Sequence, residues 1–201
     1  MQEDDKPLSE RESLELITRM INKAKCDYEE TGISSLMWGS IIALCSIVSF
    51  IGNEINMPQL DLIWYLTIFA VVFQIVISIR EHRKKSYTSY SEDALGGIWI
   101  GYGISIFLFS FYSNRFQVTH TNTIFLIAYG VPTFATGFAR EFKPMIIGSI
   151  ACWVMAIASM FTPPSYSAYN VLFNAPAAIL AWFIPGLILR RRYLNAKRGN
   201  V

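Results

Sequence analysis

The chain has 201 residues, is 53% hydrophobic and 16% charged, and carries a formal net charge of +2. Its mean hydropathy is +0.35, whereas a soluble domain of this length carries nearer a quarter charged residues. Here the charges cluster and leave long apolar stretches between them, which excludes an ordinary soluble domain and points to an all-α polytopic membrane protein.

Residues 1–30 are polar and open Gln2-Glu3-Asp4-Asp5, without the basic region and short apolar core of a cleaved export signal. The first apolar run, from Ile33, is therefore expected to be kept as a membrane span. Ser9-Glu10-Arg11-Glu12 has the Ser-x-x-Glu pattern of a capping box, in which each side chain satisfies a free backbone N–H of the other residue. A cytoplasmic amphipathic helix is expected to follow over 10–31. Its seam is Leu14, Ile17, Ile21, Ala24 and Tyr28, in alternating steps of three and four. Thr31-Gly32 is expected to end it, with glycine free to turn left-handed, and Ser34 or Ser35 to cap the next helix.

Six apolar runs follow at about 34–52, 62–80, 95–113, 122–139, 144–161 and 169–189, each near the length that crosses a hydrocarbon core of about 30 Å. The fourth is interrupted by Gly130, Pro132 and Gly137. The domain division is then 1–32 for the acidic tail and amphipathic helix, 33–189 for six transmembrane helices, and 190–201 for a basic tail. Of the seventeen lysines and arginines, every one but Arg115 falls before the first span, in the second and fourth connections, or in the tail. The positive-inside rule then puts both termini in the cytoplasm, which six spans satisfy. The opposite loops, Asn53–Asp61, Asn114–Thr121 and Thr162–Ala168, are too short for a folded domain. Gly39-Ser40-Ile41-Ile42-Ala43 in the first run loosely echoes Gly148-Ser149-Ile150-Ala151-Cys152 in the fifth.

No ionisable residue falls in mid-span, where one would mark a functional site by its cost. His82 and His120 lie on opposite sides and cannot share a metal, and Cys26, Cys45 and Cys152 show no paired spacing. No metal, no cofactor and no enzymatic activity are expected, because no nucleophile has a base beside it.

Three features remain. Gly96-Gly97-Ile98-Trp99-Ile100-Gly101-Tyr102-Gly103 contains a GxxxG. It lacks the strand and the Lys-Ser/Thr of a phosphate loop, and reads as a helix-packing face on Gly96, Gly97, Gly101 and Gly103, against another span or a second copy. The last run holds Asn170, Asn174, Pro176 and Pro185, and Pro176 removes the donor for the Leu172 carbonyl. With Gln74, Gly130 and Pro132, Asn174 and Pro176 could line a solute path, or both helices could be kinked packing helices whose amides bond their neighbours. Finally, residues 1–30 carry nine acidic and five basic groups, while 190–201 carry five basic groups and no acidic one. The tail suits anionic lipid or the acidic helix, and no base-reading motif accompanies it, so no direct nucleic-acid partner is expected.

Ser13-Leu14-Glu15-Leu16-Ile17-Thr18-Arg19-Met20-Ile21-Asn22-Lys23-Ala24-Lys25, followed by Leu36-Met37-Trp38-Gly39, resembles the opening of a family of small six-span bacterial inner-membrane proteins. The likeness implies a multi-pass protein of the bacterial inner membrane and supplies no site residues. The resulting expectation is an integral membrane binding or regulatory protein whose cytoplasmic helix contacts a soluble partner or a second copy. The alternative is a small transporter or channel for an uncharged or weakly polar solute.

Overall fold

The computed structural model describes Leu14, residues 31–84, 90–118, 120–163, Tyr166 and 169–199. The secondary structure of the described residues is all helical, without a strand. They comprise α1 (Ile33–Glu54), a 3₁₀ segment (Pro58–Tyr65) running into α2 (Leu66–Lys84), α3 (Tyr90–Phe116), α4 (Thr121–Ala139) and α5 (Lys143–Met160). The last run is a composite of α6 (Tyr169–Leu172), α7 (Asn174–Ala178), a π turn (Ile179–Phe183) and α8 (Ile184–Gly199).

Five stretches are long and apolar enough to cross a membrane: Ile33–Glu54, Pro58–Arg80, Glu92–Phe116, Lys143–Met160 and Tyr169–Arg198. Helices of this kind mark a membrane protein. The expected fourth span is a 19-residue helix, α4, but it is not among the five. Asn122, four threonines, two glycines and Pro132 lower its apolarity, and its polar face is turned inward, where Thr123, Thr133 and Thr136 are buried.

The core lies among α1, α4, α5 and the composite last run. Ile42, Leu126, Tyr129, Cys152, Ala156, Ala177, Ala178, Ala181 and Trp182 make one cluster, and the α4–α5 pairing is the most extensive helix contact. Small residues set how closely these helices meet. A Cβ on Gly148 would sit 2.5 Å from Ala181 Cα, and one on Gly39 would sit 2.6 Å from Phe183 N. The two segments that echo each other in sequence thus hold the π turn through equivalent glycines. Gly186 approaches Leu36 in the same way, at 2.8 Å from its N.

Gly32 takes φ +69, the left-handed conformation expected there, and it also lies against α8. Ser34 and Ser35 do not cap α1: the helix starts at Ile33, whose N–H faces Thr31 Oγ1 at 3.5 Å. A start at Ile33 leaves both serines inside the helix.

The other two helices are peripheral. Only 6% of the apolar window of the α2 stretch and 6% of that of α3 is buried, against 33–50% for the other three candidate spans. α2 leans on α1, and α3 on α4. Exposed Phe69, Val72, Phe73, Phe107 and Phe111 give them the apolar exterior that lipid accepts.

Candidate functional site

Helix α4 organises the interior. Asn122, Leu126, Tyr129, Thr133 and Thr136 recur at steps of three and four, so they share one face. That face runs alongside the last run, both helices starting from the same end of the bundle, and it pairs with it level by level.

At the first level Asn174 Nδ2 donates to Asn122 Oδ1 at 3.0 Å. Thr123 and Ser159 join their hydroxyls nearby in the chain, tying α4 to α5. Asn170 is 3% exposed and Asn174 is fully buried. The side-chain oxygens of both have no hydrogen-bond partner among the described residues. Such orphans are uncommon, because an unsatisfied buried acceptor forfeits its solvation without compensation. They flank the break at Phe173, where the backbone stays right-handed at φ −61 and ψ −24. Pro176 brings no N–H for the Leu172 carbonyl.

At the second level four rings close a cycle. Trp99 and Tyr102 of α3 lie 5.6 Å apart, Tyr102 and Tyr129 6.3 Å, Tyr129 and Trp182 5.1 Å, and Trp182 and Trp99 6.3 Å. These are spacings of rings in contact, so the quartet is packing and holds no cage for a ligand. Its indoles are anchored: Trp182 Nε1 donates to Thr133 Oγ1 and Trp99 Nε1 to Thr136 Oγ1, both at 2.9 Å. The π turn supplies the extra residue that turns Trp182 into this position. Thr133 and Thr136 donate in turn to the Tyr129 and Pro132 carbonyls.

The expected solute-path residues are not assembled. Gln74 accepts from Trp38 Nε1 at 3.2 Å, an interhelical bond between α2 and α1. Gly130 is covered by Trp153 of α5, whose Nε1 would lie 2.1 Å from an added Cβ. Pro132 is buried within the helix. Only Asn174 and Pro176 belong to the amide site, and the residues that complete it are Asn122 and Asn170. Asn122 was not legible as a site residue, since it opens an apolar run where a polar residue ordinarily marks a boundary. Its partner stands 52 positions away.

The glycine face of α3 has no partner among the described residues. A Cβ built on Gly96, Gly97, Gly101 or Gly103 would meet nothing within 4 Å among the described residues. Trp99 and Tyr102, between those glycines, carry the contact of α3 with the core. Of the seam expected at 10–31, Leu14 is helical and 65% exposed, and Ile17, Ile21, Ala24 and Tyr28 lie outside the described residues.

No metal-binding group of three or more His, Cys, Asp or Glu occurs among the described residues. No protein-family model, curated protein or solved structure matches the chain.

Proposed function

We propose that this chain is a multi-pass protein of the bacterial inner membrane that works as a binding and regulatory component, assembling with a second copy of itself through α3. The open glycine face carries this reading. Each glycine costs about 1 kcal/mol of helix propensity relative to alanine, and four of them on one helix meet nothing among the described residues. In a bilayer, small residues gain by letting another backbone approach closely. The near-bare surface of α2 and α3 provides the area.

Both termini are cytoplasmic in this reading. Arg80, Arg140, Lys143 and Arg190–Arg192 gather at one end of the bundle, opposite Glu54, Asp61 and Arg115. The helix over 10–31 then extends from that end and offers its apolar seam to a cytosolic partner or to the second copy. No catalytic role is assigned in this reading, since the buried polar side chains named above are amides and hydroxyls. The transporter reading is weaker because Gly130 is filled by an indole and Gln74 belongs to a different helix contact.

Deleting residues 1–30 tests the cytoplasmic half of the proposal. The truncated chain is expected to purify as a folded bundle but to lose co-purification of its soluble partner, or part of its self-association. Full retention of both would refute a role for that helix.

A further inference from the structure

We propose that Asn170 and Asn174 form a binding site for a small monovalent cation, of sodium size, at the break in the last span. Among the described residues, their side-chain oxygens are both buried and both unpartnered. Asn174 is held in orientation by its own amide, which donates to Asn122 Oδ1 at 3.0 Å, so its oxygen is left on the other branch of the amide. The two residues are four apart on a backbone that remains right-handed through Phe173, so they lie one turn apart on the same face. The Leu172 carbonyl sits in the same turn and receives no N–H from Pro176.

These groups accept and do not donate. Such a set suits a cation stripped of its water, in the manner of carbonyl oxygens at interrupted membrane helices. Both asparagine oxygens are covered by protein atoms, so an occupant must be small, and a dehydrated sodium ion is smaller than a water molecule. Acidic charge lies at the same end of the bundle: Glu54, at the end of α1, is beside the Tyr169 phenol, immediately before Asn170. Asp61, held by Ser49, lies at the same end. Arg115 is also at that end and is drawn over the Phe116 ring. With neutral oxygens as ligands the site is expected to be weak and to fill at salt concentrations rather than at trace levels.

The test uses the full chain in detergent and follows thermal unfolding by tryptophan fluorescence. Sodium chloride is titrated against N-methyl-D-glucamine chloride at constant ionic strength. A saturable rise in the unfolding midpoint specific to sodium is expected, abolished in Asn170→Leu. Asn170→Asp, nearly isosteric and anionic at alkaline pH, is expected to bring saturation to lower sodium concentration, and it carries the test if the leucine variant does not fold. Equal midpoints in sodium and N-methyl-D-glucamine overturn the proposal. So does an Asn170→Asp titration superimposed on that of the unaltered chain. The site lies within one chain, so the outcome is independent of whether copies assemble through α3.

Discussion

At Gly148 there is no room for even one more carbon, because Ala181 Cα and the Leu180 carbonyl would both lie 2.5 Å away. At Gly101 there is open space. The two glycines look alike in the sequence, and they are expected to behave oppositely. Gly148→Leu should destabilise the bundle by about 1–3 kcal/mol or more, through backbone displacement at the π turn. Gly101→Leu should leave the melting temperature of the single chain unchanged, or raise it by the regained helix propensity of up to about 1 kcal/mol. Melting of both variants in detergent separates them. Equal losses would mean that the packed and open glycines have been misassigned. Sequence pattern singles out the densest glycine cluster, but close approach inside the chain falls to isolated glycines. Which face of a helix meets a neighbour is a tertiary fact that spacing along one helix does not contain.

The last run shows what an element can do once its ladder is broken. Pro176 and the π turn cost backbone hydrogen bonds, and they turn Trp182 so that its indole reaches Thr133 at 2.9 Å. Interhelical bonds of this sort in membranes are worth about 0.6 kcal/mol on average and up to about 1.7. Thr133→Val and Trp182→Phe are each expected to lose roughly that much, the second also losing some ring packing. The double variant should lose less than the two together, because the bond can be lost only once. Strict additivity in unfolding measurements would contradict the bond. The break was legible from Pro176 and the two asparagines. The π turn was not, because an extra residue in a helix leaves no mark in an apolar run. Gln74 was readable as an interhelical hydrogen-bond partner, since a lone amide among apolar residues must bond across a helix contact. Asn122 escaped notice for the same reason that Asn174 needed it: buried amides pair across long stretches of chain.

For the whole molecule, composition alone conveyed the helical membrane character, because charge-free stretches of this length have few other uses. It also conveyed six runs, of which one, α4, is too polar to stand among the five clear spans and instead turns its threonines to the interior. The charge asymmetry makes a topology prediction. A cysteine replacing exposed Met57 should react with a membrane-impermeant maleimide added outside intact cells, and one replacing exposed Asn195 only after the membrane is opened. The reverse pattern would invert the molecule.

Two helices have apolar windows that are 6% buried, and one of them carries four glycines that meet nothing among the described residues, which is the surface proposed to receive a second copy. The most direct measurement is the number of copies per particle in lipid nanodiscs, counted by single-molecule photobleaching for the unaltered chain and for Gly97→Leu. The account predicts two bleaching steps for the unaltered chain and one for Gly97→Leu, with unchanged melting of the single chain. A single step for the unaltered chain, or two steps that survive Gly97→Leu, would contradict it.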